Sequence, residues 1–278
     1  MNIQWAFNSA TVMNCGWEEE LRLWQQFGWR AAEIWFSKME ARLAQGASYD
    51  QLARQMRDAG VQPAGLCAGV ISTAYSQPDR NQEYAALARI FDAAQAMNAP
   101  SATIIIGGTS GDDLTQEYTA LVEPLQHVAD MAQARNVKIN LEFLGGLPVN
   151  GTLGTCIELV NRVNHPAFGL LFDFCHYYVS ASHLEELALL QPEKLFMVHV
   201  DDSPRLPMEK LRNDQRCIPG MGRIPIVYLI RHLRHQMHYE GYFSVELYDP
   251  EVWKQEPQQV MAQLAAALKN IEAEVEHS

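Results

Sequence analysis

Eight short runs rich in β-branched and aromatic residues alternate with longer stretches of helical period, and this alternation restricts the fold more than any other feature of the chain. The runs are 3–7, 31–36, 62–67, 102–106, 138–143, 168–172, 195–200 and 242–247. The intervening helical stretches are 18–27, 49–59, 81–97, 116–135, 153–163, 183–190, 226–237 and 257–274. In the fourth of these, Leu121, Leu125, Val128 and Ala132 recur at three- and four-residue steps, so one face packs and the other is solvated. Gly28 and Gly60 follow the first two helical stretches where a left-handed cap is needed before the next strand. Eight strand–helix pairs in 278 residues predict an α/β chain folded as one (β/α)8 TIM barrel spanning 1–278. A doubly wound open sheet is the alternative, but no Gly-rich turn follows the first strand.

Composition narrows the partners. The formal charge is -12, with no basic patch to override it, which argues against nucleic acid and against anionic membrane surfaces. The opening "MNIQWAFNSATVMNCGW" has neither a basic nor an apolar leader segment, and no apolar stretch reaches membrane-spanning length. A soluble, cytoplasmic protein is expected, and self-association into a homo-oligomer is left open. The five cysteines, Cys15, Cys67, Cys156, Cys175 and Cys217, are dispersed without a CxxC pair and read as reduced thiols.

Chemistry concentrates where the runs end. "INLE" closes on Glu142, "LLFD" on Asp173, "FMVH" on His199 and "FSVE" on Glu246, four side chains that all bind divalent cations. A strand carried into the core and finished with a carboxylate costs several kcal/mol, of order 3–5, unless something pairs the charge. In a barrel the carboxyl ends of strands five to eight are neighbours, so the four side chains would converge at one side of the mouth. Three carboxylates and one imidazole suit one divalent ion, Mn, Mg, Co or Zn, more than a thiolate-selected structural zinc.

Further polar groups lie near the same rim. His176, three residues beyond Asp173, is a candidate substrate contact, and so is Arg216 in "DQRCIPGMGRI", where Gly220 and Gly222 would let the backbone pass close to a ligand. Glu33 and Asn8, near the ends of strands two and one, are candidates for substrate binding, with structural hydrogen bonding as the rival reading. Trp24 and Trp29 read as packing residues, Trp35 as packing or mouth lining, and Cys175 as packed. The sequon Asn150-Gly151-Thr152 has meaning only in a secreted chain.

The segments "LEFLG", "FDFCH", "HVDD" followed by "RCIPGMG", "SVELYDP", and the opening "FNSAT" at Phe7 to Thr11 resemble the xylose isomerase-like barrel superfamily, and within it the inosose (2-keto-myo-inositol) isomerase group. The resemblance spans nearly the whole chain, is most specific from Glu142 onward and is thinner over 61–115. It implies that Glu142, Asp173, His199 and Glu246 hold one divalent metal and that His176 and Arg216 contact substrate. The implied reaction is isomerisation or epimerisation of a keto-polyol or sugar: a proton is removed next to a carbonyl and a metal-stabilised enediolate results. Glu142 and Glu246, flanking the substrate, are the expected acid/base pair. The acidic loops "DDSP" and "YDPE" favour an unphosphorylated substrate. A metal-dependent dehydratase of the same keto-polyols shares the first step. A barrel endonuclease needs a basic face and further histidines at strands three and four, and a non-catalytic sugar-binding barrel has no need of four ligands.

Overall fold

Left-handed glycines set the rhythm of the chain: Gly28 (φ 74°) and Gly60 (φ 72°) turn it out of a helix and into the next strand. The computed structural model describes residues 3–276. Each apolar run forms one stave of a closed barrel in the order β1-β2-β3-β4-β5-β6-β7-β8, with β8 pairing in parallel with β1. The elements are β1 (Gln4–Asn8), α1 (Trp17–Phe27), β2 (Ala31–Trp35), α2 (Phe36–Ala44), α3 (Tyr49–Asp58), β3 (Gln62–Ser72), α4 (Arg80–Met97), β4 (Ser101–Gly107) and α5 (Leu114–Gln133). They continue with β5 (Lys138–Glu142), α6 (Leu153–Val163), β6 (Phe168–Asp173), α7 (Phe174–Val179), β7 (Leu195–Val200), α8 (Ile226–Gln236), β8 (Tyr242–Val245) and α9 (Pro257–Glu276). The predicted single-domain (β/α)8 barrel is the observed fold, and no described helix is long and apolar enough to cross a membrane.

The departures from expectation have local causes. Phe36, expected as strand, opens α2, because Phe36 and Met39 share one buried face of a segment otherwise built from good helix formers. β3 runs on to Ser72 with its register against β4 shifting between Leu66 and Gly69. There a Cβ on Gly69 would stand 2.5 Å from Leu87 Cδ2 of α4, so only glycine lets the helix lie this close. The stretch 183–190 is not an α-helix: Leu184–Leu189 is a 3-10 helix whose buried Leu184 and Leu187 repeat every three residues. β8 stops at Val245, so Glu246 is the first residue beyond the strand.

Strand alternation sorts side chains between two cores. Outward residues such as Phe7, Ile34, Phe172, Val198 and Val245 pack against the helices with Trp24 and Trp29. Inward, Ala6, Ala31, Ala64, Leu171 and Met197 form a separate small apolar plug. Two residues further along the same strands, the inward positions become polar: Asn8, Glu33, Asp173 and His199, joined by Thr103, Asn140 and Ser244. A barrel interior is ordinarily filled by branched apolar side chains, so this polar layer marks where packing yields to chemistry.

Candidate functional site

At the carboxyl ends of β5 to β8 one ligand-capable atom each from Glu142, Asp173, His199 and Glu246 lies within 4.8 Å of the other three. All four residues are buried. His199 Nδ1 stands 3.3 Å from Glu142 Oε1, 3.2 Å from Glu246 Oε2 and 3.8 Å from Asp173 Oδ2. Glu142 Oε1, Asp173 Oδ2 and His199 Nδ1 have no hydrogen-bond partner. Three unpartnered, electron-rich atoms facing one point is an arrangement that a buried site tolerates only when positive charge sits among them. The electrostatics agree: burial opposes charge on His199, but Glu246 and Glu33 outweigh it and hold the imidazole well above its ordinary range. Burial pushes the Glu142 carboxyl up to about 7. An oxygen-rich set with one imidazole at these separations could hold one divalent metal ion.

The side chains of Asp173, His199 and Glu246 are each aimed by a bond made with their other atoms, to His176 N, Glu33 and Asn8. Asp173 is the N-cap of α7, a helix the sequence reading missed: its Oδ1 accepts from His176 N at 2.6 Å, which leaves Oδ2 facing the cluster. Asn150, in the left-handed conformation at φ 56°, donates from Nδ2 to Glu142 O at 2.7 Å and fixes the end of β5. Its burial leaves the sequon no access to solvent.

Above the cluster opens a cavity of about 380 Å³. Its lining mixes apolar side chains, Trp35, Val70, Ile105, Leu144, Leu147 and Tyr248, with the polar groups of Glu142, Glu246, His176, Arg216 and Asn213. Trp35 and Tyr248 meet with ring centroids 5.8 Å apart and form part of the mouth. His176 Nδ1 accepts from Gly145 N at 3.3 Å, so the neutral ring keeps its proton on Nε2, and burial holds its pKa down to about 4. Arg216 Nε is paired with Asp201, while Nη1 donates to Asn213 O at 2.6 Å. Its own amide donates to Asp249 Oδ2 at 2.9 Å. Burial opposes the charge on this guanidinium, and Asp201 more than restores it.

Glu33 and Asn8, candidates for substrate binding or for structural hydrogen bonding, stand behind the cluster and off the cavity wall, both at 0% exposure. Asn8 Nδ2 bridges Glu33 Oε2 at 3.1 Å and Glu246 Oε1 at 3.2 Å. Gly220 and Gly222 also differ from expectation: their backbone passes close to a side chain of the protein itself. Asp202 Oδ2 accepts from Gly220 N at 3.0 Å and Gly222 N at 2.7 Å, and Oδ1 accepts from Ile224 N at 2.9 Å, so one carboxylate organises the whole turn. The paired aspartates after His199 were read as an acidic loop and as part of the "HVDD" resemblance, without a role of their own; their position one and two residues past a ligand-bearing strand was the available signal for Asp201 and Asp202.

The family model for xylose isomerase-like TIM barrels matches residues 21–271. The inosose isomerase of Bacillus velezensis is 26% identical over 252 residues, 89% of each chain. That of Bacillus licheniformis is 35% identical over 135 residues, 48% of each chain. A 3-dehydroshikimate dehydratase from Pseudomonas aeruginosa is 30% identical over 137 residues, 48% of this chain and 21% of that one. A crystal structure of IolI protein with a binding zinc atom superposes with TM-score 0.89 at 23% identity, covering 99% of this chain and 100% of that one, a likeness of fold. With the closed eight-strand barrel and a match over nearly the whole chain, this protein belongs to the xylose isomerase-like TIM barrel family.

Proposed function

We propose that the chain is a divalent-metal-dependent isomerase or epimerase acting on an unphosphorylated keto-polyol or sugar of the inosose type. The observation that carries this reading is the convergence of Glu142, Asp173, His199 and Glu246, three of them with an unpartnered atom turned inward, at the base of a cavity walled by two of the same carboxylates. These four residues would hold one divalent ion, Mn, Mg, Co or Zn. When bound, such an ion acts as a Lewis acid on the carbonyl oxygen and the hydroxyl beside it. Glu142 and Glu246 border the cavity and are placed to take a proton from the carbon next to the carbonyl and to return it to that carbon or its neighbour. The His176 Nε2 proton and the Arg216 Nη2 group are left to bind substrate hydroxyls, since their other polar atoms are engaged by Gly145, Asp201 and Asn213.

The cavity also supports the choice of substrate class. About 380 Å³ is at the small end of ligand sites and suits a six-carbon ring or chain. Its apolar lining residues suit the C–H groups of such a molecule and its polar ones the hydroxyls. Arg216 is the one cationic side chain among the described lining residues and is already paired, which disfavours a phosphoryl group. Inosose isomerases among the relatives point the same way.

The similarity to 3-dehydroshikimate dehydratases supports a second reading, in which the same proton abstraction is followed by loss of water. One experiment separates the two. The protein is loaded in turn with Mn²⁺, Co²⁺, Mg²⁺ and Zn²⁺ and incubated in deuterated buffer with a panel of inososes and ketoses, and the products are examined by mass spectrometry and proton NMR. Deuterium at one carbon beside the carbonyl, with an isomeric ketone as product, is expected. A product lighter by one water selects the dehydratase, and no exchange with any substrate and metal overturns both.

A further inference from the structure

Glu33 is a carboxylate sealed inside the barrel, where interior positions are normally apolar, and it belongs to neither the cluster nor the cavity wall. From β2 it reaches across the interior to β7. Its Oε2 accepts from His199 Nε2 at 2.8 Å, Ser244 Oγ at 2.9 Å and Asn8 Nδ2 at 3.1 Å, and its Oε1 accepts from Thr103 Oγ1 at 2.9 Å. Four donors from four strands on one buried carboxylate are the surroundings of an ionised group. Such a group only accepts, so the proton between it and His199 belongs to the imidazole Nε2. A neutral His199 then has its lone pair on Nδ1, the atom within 3.8 Å of three carboxylate oxygens of the cluster.

We propose that Glu33 is the positioning residue of the metal centre: it fixes the Nε2–H tautomer of His199 and adds a negative charge behind the ring, so that Nδ1 faces the cluster as a donor to a divalent cation. This rests on the reading of Glu142, Asp173, His199 and Glu246 as a metal site. Asn8 extends the same device to Glu246, bonding Glu33 and Glu246 with one amide. The polar layer beneath the cluster thus orients two of the four ligand-capable side chains from a single buried charge.

The test is divalent-ion affinity, read by competition of Zn²⁺ and Co²⁺ between the full-length protein and a chromophoric chelator, for wild type, Glu33→Gln and Thr103→Val. Gln keeps an acceptor toward His199 but removes the charge; Val removes one bond to Glu33 and leaves its charge. Glu33→Gln is expected to bind both ions 10- to 100-fold more weakly, and Thr103→Val within about threefold of wild type. In the Zn²⁺-loaded wild type, the two-bond ¹⁵N–¹H correlations of His199 are expected to show a protonated Nε2 and a metal-shifted Nδ1. Unchanged affinity in Glu33→Gln, equal loss in both variants, or metal on Nε2 overturns the role of Glu33 while the metal site stands. A wild-type chain that takes up neither ion overturns the metal site and this role with it. The tautomer measurement needs no variant, so a Glu33→Gln chain that does not fold leaves the proposal open to refutation.

Discussion

Asp173 divides its two oxygens between two tasks, and this division explains how a strand can end on a buried charge. Oδ1 caps α7 through His176 N, and Oδ2 remains unpartnered among the other cluster atoms. An Asp173→Asn side chain can keep the cap with its carbonyl oxygen but sets an NH₂ group where Oδ2 stood. The variant should therefore unfold within about 1 kcal/mol of wild type, the scale of an N-cap, while losing divalent-ion binding by at least tenfold in a metal titration. Retained ion binding would remove Asp173 from the ligand set. Gly222 makes the complementary case, where backbone and not charge is decisive. A Cβ there would lie 2.2 Å from both Asp202 Oδ1 and Ser203 O. Gly222→Ala should cost about 1–3 kcal/mol in urea unfolding, because the Asp202 carboxylate that gathers the turn must shift. Stability unchanged from wild type would show that the turn yields freely. Asp173 was legible in the sequence because a carboxylate at the end of an apolar run is conspicuous. Gly222 was legible as a glycine but not in its purpose, since the residue it makes room for stands twenty positions earlier in the chain.

At the scale of elements, one half-buried lysine ties the first turn of the barrel together. Lys38 on α2 donates from Nζ to Ser9 O at 3.0 Å and Val12 O at 2.8 Å, the 3-10 turn that follows β1, and pairs with Glu20 of α1 at 3.0 Å. Glu20 is fully buried; burial pushes its carboxyl up from 4.5 to about 7, against the pull of Lys38. An acid that holds its proton more tightly in the fold than in the unfolded chain favours the fold fully below the unfolded value. That contribution is lost as pH rises through the folded value. Glu20→Gln, which is neutral at every pH, should therefore gain on wild type as pH goes from 5 to 8, by roughly 3 kcal/mol when unfolding is followed in urea at both ends. A difference between variant and wild type that stays constant with pH would show that Glu20 is ionised throughout. None of this was legible beforehand, because α2 itself was hidden. Its two buried anchors, Phe36 and Met39, follow directly on β2, and an apolar residue adjoining a strand reads as more strand. The eight strands, in contrast, were recognisable within a few residues because parallel staves buried on both faces are nearly continuous apolar runs.

For the whole molecule, barrel closure turns a one-dimensional pattern into a site. Glu142, Asp173, His199 and Glu246 are separated in sequence by entire strand–helix units, and only the closed order of strands sets them side by side. Which residues converge could be read from the strand ends, but what supports them could not. The supports come from across the barrel, as Glu33 does, or from a loop, as Asn150 does, and no local period announces either. The same closure links metal binding to folding. In the unfolded chain the four side chains are dispersed and their charges hydrated; in the barrel three carboxylates crowd one imidazole with unpartnered atoms facing inward. A divalent ion that binds only the folded chain adds RT ln(1 + [ion]/Kd) to stability, about 2.7 kcal/mol at a hundredfold excess over Kd. For a chain of this length that corresponds to a rise in Tm of about 4–5 °C. Scanning calorimetry of wild type with a chelator and with rising Zn²⁺ or Co²⁺ should show Tm climbing with the logarithm of free ion, and Asp173→Asn should begin to climb only at a free-ion concentration at least tenfold higher. A Tm of wild type that ignores both chelator and ion would mean that the cluster holds a proton on His199 in place of an ion, since Glu246 and Glu33 favour the imidazolium against the opposition of burial.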